Sequence, residues 1–181
     1  MEPKDQNVLL AVGGGIAAYK SADLCSKLVQ RGHSVQVIMT AAASEFLGPA
    51  TLAALTGRPV ARAIFDERFP LGAHIELPAW SDLLVIAPTT ADLLAKFANG
   101  LADDLLSTLY LHHTGQVLLA PAMSHAMWSH PAVQRNLATV TTDGCHVVGP
   151  EHGWLSCRKK GEGRMSDPES ILNRMEELIA K

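Results

Sequence analysis

Three short segments of this chain carry residue types that can do chemistry, and each follows an apolar run. Gly13-Gly14-Gly15-Ile16 comes after the run 7–12 and opens a stretch of helical period. Glycine lets the backbone approach a ligand, and a helix start offers free N–H groups to an anion. The segment is neither Gly-x-Gly-x-x-Gly nor a lysine-bearing phosphate loop, and tight strand-to-helix packing accounts for the same residues. Pro88-Thr89-Thr90-Ala91-Asp92-Leu93 sets hydroxyls and a carboxylate after the run 82–87. Pro121-Ala122-Met123-Ser124-His125-Ala126-Met127-Trp128 follows the run 117–120, and its composition suits neither ordinary core nor ordinary loop. Thr40, after the run 34–39, can bond a phosphate or cap the next helix.

Two further residues invite a role. His74 lies in Gly72-Ala73-His74-Ile75-Glu76-Leu77, and an imidazole can shuttle a proton near neutral pH, although a lone histidine is more often structural. Cys157 stands beside Arg158-Lys159-Lys160 in a long stretch rich in glycine and charge. Neighbouring cations favour a thiolate, and a loop of that length suits a lid; an incidental surface thiol is the alternative.

These residues need a scaffold, and hydrophobic period supplies one. Strands are expected over 7–12, 34–39, 82–87, 116–120 and 146–149, the last of them final in the chain. Helices are expected over 16–31, within 40–55, over 90–100 continuing through 103–111, over 131–141, and from Ser166-Asp167-Pro168-Glu169 to about residue 180. Residues 59–70 read as irregular and 149–164 as a loop. Strands that are unbroken apolar runs, alternating with helices, mark a parallel sheet covered on both faces. Ligands bind such sheets outside the carboxyl ends of the strands, where the three segments converge.

Composition bounds the function. The 181 residues suffice for one sizeable domain, and 48% of them are hydrophobic. A net charge of -3 leaves no footprint for nucleic acid. No secretory signal pattern or membrane-length apolar run is present, and three cysteines without paired spacing suit a reducing cytoplasm. The eight histidines include no His-x-x-x-His pair, and there is no Cys-x-x-Cys, so no metal site is expected.

In order and spacing, several motifs together resemble the homo-oligomeric flavin-containing cysteine decarboxylases. They are Gly14-Gly15-Ile16-Ala17-Ala18-Tyr19-Lys20, His74-Ile75-Glu76-Leu77, 88–91, Asn99-Gly100-x-x-x-Asp104-Leu105-Leu106-Ser107-Thr108, Pro121-Ala122-Met123-x-x-x-Met127-Trp128, and Cys157 with Gly161-x-Gly163-Arg164-Met165. The likeness is strongest to the branch that acts on 4′-phosphopantothenoylcysteine in coenzyme A synthesis. It implies an α/β fold: a single doubly wound parallel sheet in a flavodoxin-like three-layer sandwich spanning 1–181, with 149–166 as a substrate clamp. It implies FMN, held by Gly15, Ile16, Thr40, Thr90, Ala91, Asp92, Leu93 and Ala122, where subunits of a homotrimer meet, alone or within a dodecamer. His74 would be the catalytic base. Met123, Ser124, Met127 and Arg164 would hold the small-molecule substrate. Oxidation at the thiol-bearing carbon by the flavin gives a thioaldehyde, which is the electron sink that lets carbon dioxide leave as an enethiolate forms. Cys157 would serve the reduction that completes 4′-phosphopantetheine. Peptide C-terminal cysteine decarboxylases stop at the enethiol and as a rule lack that cysteine, and a flavin-binding subunit without catalysis is a third reading. The family's usual asparagine is Ser124 here, and its common Gly-Asp-x is Arg158-Lys159-Lys160.

Overall fold

The computed structural model describes residues 6–180. Five parallel strands, β1 (Asn7–Val12), β2 (Ser34–Met39), β3 (Leu83–Thr89), β4 (Gln116–Pro121) and β5 (His146–Val147), form one sheet in the order β2-β1-β3-β4-β5. That is the flavodoxin-like order, whose direction reverses between β1 and β3. Alternate residues of each strand feed opposite cores. Val8, Leu10 and Val12 face α1 (Ala18–Gln30), α2 (Pro49–Thr56) and α8 (Pro168–Ile179). Leu9 and Ala11 face α3 (Ala73–Trp80), α4 (Ala91–Asn99), α5 (Leu105–His112) and α7 (Pro131–Thr142). Both sides of the sheet are therefore apolar, which is why the strands read as unbroken runs.

Several expectations need correction. Helix α1 starts at Ala18 rather than residue 16, and β3 runs on to Thr89. The segment read as continuing through 103–111 is a separate helix. Gly100 takes the left-handed conformation that ends α4, and Asp104 starts α5 in a capping box with Ser107. Lys96 bridges that turn, 2.9 Å from Asp103 and 3.0 Å from Asp104. The motif Asn99 to Thr108 is thus largely a built corner. Helix α3 carries Pro78 inside it, which obscures its period.

The stretch read as a loop over 149–164 is an antiparallel ribbon, β6 (Glu151–Trp154) paired with β7 (Lys160–Arg164), so β5 is not the last strand of the chain. A four-residue helix, α6 (His125–Trp128), occupies the octapeptide. No helix among the described residues is long and apolar enough to cross a membrane.

Candidate active site

A cleft of about 640 Å³ opens at the carboxyl ends of β1, β3 and β4, within the usual range of small-molecule sites. Its floor is the start of α1, including Gly15 and Ile16; Thr90 and Ala91 border it after β3. Ala122, Met123, Ser124 and Met127 form one wall, and the ribbon forms the other through Trp154, Leu155, Ser156 and Arg164.

The three glycines divide by what surrounds them. A Cβ on Gly13 would lie 2.4 Å from the Pro88 carbonyl oxygen, and one on Gly14 would lie 2.2 Å from the Ala42 Cβ. Those two are glycine because the turn packs tightly. A Cβ on Gly15 would meet nothing closer than Thr90 Cγ2 at 3.9 Å, so that position faces open space. Among the described residues, no acceptor is bonded to the N–H of Ile16 or Ala17, and both groups stand at the start of α1.

Thr90 both lines the cleft and caps α4, its Oγ1 accepting from the Leu93 N–H at 3.2 Å. Leu93 is buried in the core, and its side chain does not line the cleft. Asp92 points to solvent and lies 3.7 Å from Lys96. Thr40 also stays outside the cleft: its hydroxyl donates to the Val12 carbonyl at 3.4 Å and accepts from the Ala43 N–H at 3.2 Å. The capping alternative describes its bonding here.

Ser124 caps α6, with Oγ accepting from the Met127 N–H at 3.4 Å. Asparagine and serine cap equally well, so this position keeps its local job with either residue. The ribbon docks on this wall through two glycines. The Met123 N–H donates to the Gly163 carbonyl at 2.9 Å, and a Cβ on Gly163 would lie 2.2 Å from the Met123 oxygen. A Cβ on Gly161 would touch His125 at 2.9 Å. With φ at +136°, Gly163 also occupies a backbone region closed to other residues. Gly163→Ala is expected to cost about 2–4 kcal/mol from clash plus strain and to free the ribbon. Thermal unfolding and protease cleavage within 151–164 check this; an unchanged melting temperature would contradict the docking geometry.

At the polar end of the cleft, sequence reasoning named Arg164 but missed its partner Asp167 and the part played by Lys20. Lys20 Nζ donates to the Met165 carbonyl at 2.9 Å and to Asp167 Oδ1 at 2.7 Å. Arg164 Nη2 donates to the same carboxylate at 2.8 and 3.0 Å. The hydrogen bond from Lys20, with the charges of Lys20 and Arg164, holds the Asp167 carboxyl below its ordinary pKa against a smaller opposing effect of burial. This contribution is complete above the ordinary carboxylate range and is lost as pH falls through the lowered value. The partners of Lys20 lie 145 and 147 residues away in sequence, so no spacing signal announces them.

His74 and Cys157 do not line the cleft. His74 sits near the start of α3, half-buried, with Nδ1 buried and unpartnered among the described residues. Gly72 makes room for it, because a Cβ there would lie 2.9 Å from the ring. Cys157 is exposed in the ribbon's turn, which is closed by Leu155 N–H to Lys159 O and Arg158 N–H to Leu155 O, both 2.9 Å. Among the described residues, no cluster of His, Cys, Asp or Glu is placed to hold a metal ion.

The chain matches the Flavoprotein family over residues 1–180. It belongs to that family. This flavoprotein-family chain is 44% identical over 178 residues to the coenzyme A biosynthesis bifunctional protein CoaBC of Bacillus subtilis, covering 98% of this chain and 44% of that protein. It is 41% identical over 169 residues to CoaBC of Escherichia coli K12, covering 93% of this chain and 42% of that protein. The chain spans less than half the length of the curated relatives it matches. Among solved structures, the FMN-dependent cysteine decarboxylase SpaF superposes with a TM-score of 0.85 at 32% identity, with both chains fully covered. A cysteine-to-serine mutant of PPC decarboxylase, complexed with pantothenoylaminoethenethiol, superposes with a TM-score of 0.88 at 29% identity over 98% of this chain and 100% of that one. The flavodoxin-like reading of the fold agrees with these neighbours.

Proposed function

We propose that this chain is an FMN-dependent decarboxylase that converts 4′-phosphopantothenoylcysteine to 4′-phosphopantetheine in coenzyme A synthesis, working in the cytoplasm. The observation that carries the reading is the cleft at the β1/β3 reversal, walled by the octapeptide and the ribbon, in a chain whose relatives are CoaBC proteins and cysteine decarboxylases. The residues present fit FMN: Gly15 leaves open space, and the α1 start offers N–H groups to a phosphate. Thr90, Ala91 and Ala122 border the same space, Thr40 braces the turn after β2, and Asp92 and Leu93 complete the first turn of α4 beside it.

FMN, when bound, supplies the oxidation of the thiol-bearing carbon and the return of the hydride. This chain supplies positioning and protons. Ser124 holds the carboxylate, its hydroxyl able to donate to it while still accepting from the Met127 N–H, and the Met123 and Met127 side chains wall the substrate in. His74 takes the thiol proton. After carbon dioxide leaves, Cys157 gives a proton to the carbon that carried the carboxylate. That step regenerates the C=S carbon, which alone can accept a hydride. Pantothenoylaminoethenethiol bound to a cysteine-to-serine PPC decarboxylase supports this order.

His74 reaches a cleft only from a second copy. Two unlike apolar patches support that arrangement. One rims the cleft, with Ile16, Tyr19, Met127 and Trp154 exposed; the other is carried by the segment leading into and through the His74 turn, with Phe65, Leu71 and Ile75 exposed. Unlike patches join head to tail, and a closed head-to-tail assembly is a ring, here a trimer, alone or as four trimers in a dodecamer.

The test is to incubate the protein with phosphopantothenoylcysteine and read the product mass. Loss of carbon dioxide alone is expected, from yellow protein that releases FMN on denaturation. A product lighter by two further hydrogens would assign the aminoenethiol reaction instead, and colourless protein that takes up no FMN would refute the cofactor.

A further inference from the structure

Asp167 begins α8, where an aspartate ordinarily accepts from the helix's own first N–H groups. It makes no such bond. Its carboxylate turns away, to Lys20 and Arg164. Lys20 is nearly buried, its side chain 11% exposed, and its ammonium also holds the Met165 carbonyl, directly after the ribbon. Helix α8 thus forgoes a local cap for a contact between distant segments. Such a conflict between local preference and observed bonding is expected where function sets the geometry.

We propose that Lys20 is a positioning residue, which with Asp167 latches the ribbon's base to α1 and fixes its height over the cleft. Helix α1 also opens the cleft's floor, so the latch ties the floor to the wall that carries Arg164 and, beyond it, Cys157. Lys20 then acts on substrate through the ribbon. The consequence for turnover rests on the decarboxylase reading above; the consequence for the ribbon does not.

The test compares hydrogen exchange of 151–164 in the FMN-loaded, full-length protein and its variants. Lys20→Met is expected to speed exchange there about tenfold, the size of one charged hydrogen bond lost. Asp167→Asn is expected to act in the same direction, and the double variant to add little to the larger single effect. Lys20→Arg restores slow exchange. With phosphopantothenoylcysteine, Lys20→Met raises KM about tenfold while kcat stays within about threefold, the pattern of lost uniform binding, with FMN content unchanged. Unchanged exchange in Lys20→Met, or additive effects in the double variant, would overturn the latch. FMN loss with an unmoved ribbon would overturn it too, by assigning Lys20 to the cofactor. If the wild-type protein leaves phosphopantothenoylcysteine intact while the exchange pattern holds, the substrate reading fails and the latch stands.

Discussion

His74→Asn is expected to lower kcat by about 10²–10⁴, the range for loss of a positioned general base, with FMN content and oligomer size unchanged. The assignment makes a stronger demand when two inactive copies are mixed. Gly15→Asp would fill the open floor of the cleft while leaving His74 intact. If His74 serves a neighbour's cleft, co-assembled His74→Asn and Gly15→Asp copies regain activity, because some junctions pair an intact cleft with an intact histidine. Random equal mixing in a head-to-tail ring restores about a quarter of the junctions. Separately purified variants stay inactive. No recovery in verified mixed oligomers would remove His74 from the neighbour's site.

Cys157→Ser is expected to change the product rather than stop the reaction. Carbon dioxide is still released, and an enethiol two hydrogens lighter accumulates in place of the saturated thiol. The reason is acidity. A thiol is intrinsically a far stronger acid than an alcohol, so Cys157 can give a proton to carbon. A serine hydroxyl is far too weak an acid for that. Exposure of Cys157 in the free chain is compatible with the role, since the ribbon's turn can meet substrate held in the cleft. A normal yield of 4′-phosphopantetheine from Cys157→Ser, read by product mass, would contradict it.

The sequence made the sheet legible because burial on both faces leaves a plain mark: Leu9 and Leu10 are equally apolar although they point into different cores. The converging strand ends were legible for the same reason, since Gly15, Thr90 and Ala122 each follow such a run. The ribbon escaped notice because Gly153, Gly161 and Gly163 are chosen for close approach and carry no side-chain alternation to read. Helix α3 was hidden by Pro78 and by having only eight residues. Within the site, neighbours in sequence were readable and distant partners were not. Thr90 capping Leu93 spans three positions, while Lys20 meeting Asp167 spans nearly the whole chain. The resemblance supplied His74 and Cys157; one folded copy brings neither into the cleft.

The ribbon is fastened along β7 and at its base. Gly161 and Gly163 seat it on the octapeptide, and Met165 and Asp167 hold it to α1, whereas its turn closes mainly on itself through Leu155, Arg158 and Lys159. Residues 156–159 therefore behave as an exchangeable cassette on a fixed mount. Variation there can alter which molecules are admitted, or whether a proton donor is offered, without disturbing how the flavin pocket is assembled. Of the four positions, Arg158 is the one its backbone restricts, since φ of +63° favours glycine or asparagine.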